Sequence, residues 1–226
     1  MNLITRQCIA EFTGTLFLII AAIGSVILAH DVFKSGIAMT VFTNAVSVGF
    51  ILFTLIEMFA PVSSSHFNPA VTIAMLLTKK ITSKNAFLYI MAQFTGGFAG
   101  LLFTHLMFYD TNPALIYVSE QVTGWPKFIS EFLCTFLLAG AVILLVKSYS
   151  NHISLAIGLL VGGMILTTSS NMYANPAVSF ARVFTYAICG ISPFTAITYM
   201  AAEVSGAVFA VFVFKDLLSD IPVKSS

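Results

Sequence analysis

The chain has 226 residues, 58% of them hydrophobic and only 8% charged, with a formal net charge of +1. Soluble domains carry about 25% charged residues, so this composition excludes a soluble globular protein and describes an integral membrane protein. It offers no basic excess for binding nucleic acid.

Spanning helices need about 20 apolar residues each. The first predicted span covers roughly 5–29, with Phe12–Ala29 uncharged over 18 residues. That run is too long for the core of a signal peptide, and no convincing cleavage site precedes the next span, so it reads as a retained helix. A second span is expected at 36–59. After it, Asn68 precedes the short apolar piece Pro69–Leu77. Asn is a favourable N-cap and Pro suits the first helical turn, so this piece reads as a half-helix entered through a re-entrant loop. A third span follows at 84–107. The connection at about 108–126 contains Asn112-Pro113-Ala114, read as a loop turn because it is polar and lies between spans. Spans four and five are expected at 127–149 and 153–170. Asn175 then opens a second short piece, Pro176–Ala187, and a last span runs over 194–215. Cys8, Cys134 and Cys189 are odd in number and lie in or beside apolar runs, which suits small core residues rather than a metal site or a disulfide frame. No cofactor is expected.

The two halves repeat. Ala10-Glu11-Phe12-Thr13-Gly14-Thr15 matches Ser130-Glu131-Phe132-Leu133-Cys134-Thr135, and Tyr89–Gly96 matches Tyr199–Gly206. The chain 1–226 is thus expected to be one unit, with repeat one at about 1–107 and repeat two at about 127–226. Three crossings per half make the second copy inverted, and the paired interrupted segments mark a permeation site. Arg6, Lys79, Lys80, Lys84, Lys147, Lys215 and Lys224 fall on one side, against Lys34 and Lys127 on the other. The first side is therefore expected to be cytoplasmic, with both termini there. Gly96 with Gly100, and Gly158 with Gly162, carry the spacing that lets helix backbones approach. Two helix N-termini meeting at mid-membrane would repel cations and orient water or an alcohol, so the chain reads as a channel.

Ser65-His66-Phe67-Asn68-Pro69-Ala70-Val71-Thr72, the second Asn175-Pro176-Ala177 and the Glu11/Gly14-Thr15 motif together resemble the aquaporin, or major intrinsic protein, family. The resemblance covers nearly the whole chain. It implies an all-α membrane fold of six spanning helices and two re-entrant half-helices in an inverted 3+3 repeat, assembled in the bilayer as a homotetramer with one pore per subunit. In that frame Asn68 and Asn175 donate N–H groups to a passing oxygen, and Glu11 and Glu131 face inward to accept hydrogen bonds from the loops. His66 reads equally as a strut beside the pore or as a pH-sensing group.

The chain departs from the family at the four positions that set selectivity. The arginine usual three residues after the second Asn is Val178 here, and the nearest arginine is Arg182, one turn later. Counting from the motifs gives Val48, Gly163 and Met172 for the other positions, with Ile165 as the alternative to Gly163. These residues predict a wide, dry constriction that suits a compact neutral solute. Arg182 reads either as a positive charge in the outer vestibule or as a side chain reaching headgroups or a loop carbonyl. The Val-for-Arg pattern resembles a bacterial branch associated with trivalent arsenic, whose neutral hydroxide As(OH)3 is close to glycerol in size. The expected function is a passive channel for small neutral solutes, glycerol-like polyols or arsenite, with some water permeation, in a bacterial inner membrane. Three other readings stand beside it. A water-selective channel has the same architecture. A coupled transporter would need titratable groups on the path, where Glu11, Glu131 and Glu203 read better as scaffold. A non-conducting structural tetramer would want bulkier outer loops. No nucleophile–base pair suggests an enzyme.

Overall fold

The computed structural model describes residues 1–217, so Lys224 lies outside the described residues. Those residues form helices and connections, with no strand among them. In chain order the helices are α1 (Leu3–Val26), α2 (Ile37–Ser63), α3 (Pro69–Leu77), α4 (Ser83–Met107), α5 (Trp125–Lys147), α6 (Ile153–Thr167), α7 (Pro176–Ala181) and α8 (Pro193–Phe214). Five of them are long and apolar enough to cross a membrane, α1 being prolonged by a π-helical turn at Ile27–Val32. Phe50, Phe87, Leu159, Phe194 and Phe212 point outward and are exposed, as a lipid-facing surface requires.

Three elements differ from the expected bounds. α2 runs on to Ser63, through Pro61. α6 has only 15 residues, about 22 Å of helix against a hydrocarbon core of about 30 Å. It stops at Thr167 because the chain turns there into the second re-entrant loop, and Asn171 Nδ2 takes the carbonyl of Ile165 at 3.0 Å. α7 has six residues and ends in a 3₁₀ turn at Arg182–Phe184, where the sequence suggested helix to Ala187. The carbonyls of Val183 and Phe184 accept instead from the backbone N–H groups of Ser119 (2.8 Å) and Tyr117 (3.1 Å). The long connection between α4 and α5 thus claims acceptors that a continuing helix would have used. The third Asn-Pro-Ala is a turn in that connection, with Asn112 Oδ1 accepting from Ala114 N at 3.0 Å.

The halves interlock. α1 packs on α4 as α5 packs on α8, while α3 of the first half lies on α8 and α7 of the second lies on α4. Glycine sets both of the first two crossings. A Cβ on Gly96 would sit 2.3 Å from the Phe12 carbonyl oxygen, and one on Gly206 would sit 2.4 Å from that of Phe132. These are matching positions of the repeat, so one steric requirement acts twice. Gly158 meets Gly49 in the same way where α6 crosses α2.

Candidate functional site

Each half-helix begins at an Asn that caps it. Asn68 Oδ1 accepts from Ala70 N (2.8 Å) and Val71 N (3.5 Å), and Asn175 Oδ1 accepts from Ala177 N (3.0 Å). The two amides also tie the loops together. Asn68 Nδ2 donates to the Ala174 carbonyl at 2.7 Å, and Asn175 Nδ2 donates to the Phe67 carbonyl at 2.9 Å. An amide nitrogen carries two hydrogens. One is spent on the cross-tie, which leaves one on each Asn for the cavity that both side chains line.

The backbone leading into each Asn repeats as well. Ser64, Ser65 and Phe67 have positive φ, as do Asn171, Met172 and Ala174, so the left-handed residues sit one, three and four places before each Asn. None is glycine, and such conformations persist only where the surroundings over-determine them. Buried carboxylates supply that determination. Glu11 Oε1 accepts from His66 N (3.0 Å) and the Ser63 hydroxyl (2.6 Å), and its Oε2 accepts from Phe67 N (2.7 Å) and Gln93 Nε2 (2.8 Å). Glu131 accepts from Tyr173 N (3.0 Å) and Ala174 N (2.6 Å). Gly14 makes room for the first loop, since a Cβ there would lie 2.0 Å from the Phe67 ring.

Between the loops runs a cavity of about 450 Å³. Leu18, Val48, Leu52, Ile56, Leu138, Ile157, Val161 and Ile165 wall it, with Asn68 and Asn175 as polar points along it. Glu57 and Ser154 lie among its lining residues, the Ser154 hydroxyl donating to the Glu57 carboxylate. His66 also lines it, with Nδ1 3.1 Å from the Thr72 hydroxyl oxygen and its ring edge-on to Tyr89. Val71 and Val178, each three residues after its Asn, both face the cavity.

Of the four expected filter positions, Val48, Met172 and Val178 line the cavity. Gly163 does not. It is exposed on the outside of α6, in a groove shared with Gly49, Phe53 and Leu166, and nothing lies within 4 Å of its missing Cβ. Ile165, the alternative to Gly163, is buried and lines the cavity. Of the two readings of Arg182, the structure fits the positive charge beside the cavity and not the side chain reaching outward. Arg182 is 4% exposed and lines the same cavity as Val178. It reaches neither headgroups nor a loop carbonyl: Nη2 donates to Ala22 O of α1 at 3.1 Å, and the guanidinium lies 4.0 Å from the Tyr173 ring centre. Tyr173, unremarked in the sequence, stands two residues before Asn175, where His66 stands before Asn68. The repeat would have flagged it.

A family model described as "Major intrinsic protein" matches residues 2–181. The chain belongs to the major intrinsic protein family. Among relatives, the aquaglyceroporin AqpS of Rhizobium meliloti (strain 1021) is 34% identical over 215 residues, covering 95% of this chain and 91% of its own. A probable TIP-type aquaporin of Nicotiana tabacum, RB7-18C, is 30% identical over 188 residues, 77% of this chain and 74% of its own. Among solved structures, the aquaglyceroporin of Plasmodium falciparum superposes with a TM-score of 0.73 at 21% identity, covering 95% of this chain and 97% of that one, which shows a shared aquaporin fold. Major intrinsic proteins are passive membrane channels, not enzymes. In this member the two re-entrant loops are tied to each other through Asn68 and Asn175, and both asparagines line the cavity.

Proposed function

We propose that the chain is a passive channel for small neutral solutes of the glycerol type, with water passing as well. The supporting observation is the lining. Apolar walls run past two single amide donors, Asn68 and Asn175, toward a guanidinium at Arg182. A polyol has a carbon side for Val48, Ile165 and Val178, and hydroxyls for the asparagines and Arg182. The neutral triol As(OH)3 displays hydroxyls in the same way and is a second candidate. Arg182 repels cations from the lining it occupies. The distribution of basic residues supports both termini facing the cytoplasm of a bacterial inner membrane, and the aquaporin fold supports a homotetramer.

Light scattering on proteoliposomes tests the reading by recording water efflux and glycerol entry on one preparation beside protein-free vesicles. Glycerol entry well above the protein-free rate is expected, and it would justify measuring arsenite entry next. One observation favours a second reading, a water-selective channel: the buried guanidinium of Arg182 sets a polar, charged group on the lining beside the apolar Val48, Met172 and Val178. Fast water flux with glycerol at background would select it.

A further inference from the structure

The two halves hold their loops with matching backbone contacts, but one polar side chain behind the loop differs in charge. In the first half, Gln93 of α4 stands behind the loop, donating from Nε2 to Glu11 Oε2 (2.8 Å) and to the Thr72 hydroxyl oxygen (2.9 Å). In the second half, the matching residue of α8 is Glu203. Its Oε1 accepts from Ser179, the counterpart of Thr72, at 2.6 Å. Its Oε2 is buried without a hydrogen-bond donor, and its carboxyl neighbours that of Glu131. Both carboxyl groups are fully buried.

Glu131 already accepts two backbone N–H groups from the loop, so its oxygens are committed to that contact. An ionised Glu203 would set a second charge against it with no donor on Oε2. Around the pair, α5 presents Cys134 beside Glu131, α8 presents Tyr199, and the second loop with its 3₁₀ turn presents Tyr173 and Arg182. Neither α3 nor α7, the half-helices packed on α8, carries a titratable side chain. Arg182 is the one cation in this group. It can balance one carboxylate, not two.

We propose that Glu203 is a positioning residue that carries a proton on Oε2 and donates it to Glu131, so that a carboxylic acid does in the second half what the Gln93 amide does in the first. The shared proton holds Glu131 against Tyr173 N and Ala174 N, and through them holds Met172 and Asn175 where they line the cavity. Its loss puts two charges behind the loop and slackens that hold, so conduction falls as pH rises. The flux readout rests on the channel reading above, while the proton itself does not.

The first test is infrared spectroscopy of the full chain in lipid bilayers at neutral pH. The carbonyl stretch of a buried neutral carboxylic acid is expected in the wild type and is lost in Glu203→Gln; a wild type without that band overturns the proposal. The second test is flux in proteoliposomes across neutral to alkaline pH. Wild-type flux is expected to fall on the alkaline side, while Glu203→Gln keeps its neutral-pH rate and loses the pH dependence. Identical pH profiles for the two proteins overturn the positioning role. Melting of detergent-solubilised protein follows the same sign: wild-type stability falls as pH rises, because the folded state must keep a proton that the unfolded state releases. Glu203→Gln flattens that slope, whereas Glu131→Gln lowers the melting temperature at every pH by weakening the acceptor for two N–H groups. A wild type showing the band but no flux at any pH would overturn the channel reading and support the proton; fast flux without the band does the reverse.

Discussion

The first re-entrant loop is gripped by a carboxylate with four donors, Ser63, His66, Phe67 and Gln93, and it wedges the Phe67 ring into the notch at Gly14. The second is gripped by Glu131 through two backbone N–H groups, with the Ser170 hydroxyl and the Glu203 carboxyl beside it, and at the matching places it has Ala174 for Phe67 and Cys134 for Gly14, both in the same apolar core. Volume moves from loop to helix between the halves, yet the positions of positive φ and the capping asparagines stay the same. The backbone path of the loop is therefore the conserved requirement of the repeat, and the side chains that hold it are exchangeable as sets. One polar partner has been exchanged as well, Gln93 for Glu203, and that makes the second loop the half sensitive to protons.

Unequal grips predict unequal damage. Glu11→Ala strands four donors, each costing about 1–3 kcal/mol when buried and unpaired, so it should prevent folding or lower the melting temperature much further than Glu131→Ala. Equal losses in the two variants, measured by thermal melting in detergent, would break the comparison. Gly14→Cys forces a side chain into the space of Phe67 and should cost about 1–3 kcal/mol. Adding Phe67→Ala gives the first loop the pairing of the second and should recover most of that loss in the same assay. At the cavity, Val178→Arg sets a second guanidinium near Arg182; glycerol entry should drop about tenfold, a barrier of about 1.4 kcal/mol, with a smaller fall in water flux. Equal loss of both fluxes would count against filter control at this position. Arg182→Ala should raise the leak of small cations, read as conductance across planar bilayers. The smallest effect is on the caps. Asn175→Ala should cost about 1 kcal/mol, and Asn68→Ala slightly more because its Oδ1 takes two N–H groups rather than one.

Reading the chain as sequence reaches the spans, the paired half-helices, the inverted repeat and the inward role of Glu11 and Glu131, because each rests on local signals. Apolar run length, an Asn-Pro helix start and a charge too costly to face lipid are properties of a few neighbouring residues. The errors fall where direction around a helix matters. Gly163 and Ile165 are two residues apart, about 200° around a helix, so a small error in where α6 ends moves the choice from the cavity to the outer surface.

What the sequence determined by itself, then, is the family architecture and the identity of the two polar points in the cavity. The tertiary structure alone decided which residues share that cavity and which donor each buried acceptor finds. Arg182 turns inward because the Ala22 carbonyl of α1, which also accepts from Asn44 Nδ2, and the Tyr173 ring lie within its reach, groups 160 and nine residues away in the chain. Glu203 meets Glu131 only because α8 crosses α5 at Gly206, close enough to bring two buried carboxyl groups onto one loop. Contacts of that range depend on how the helices cross, and no local pattern encodes them.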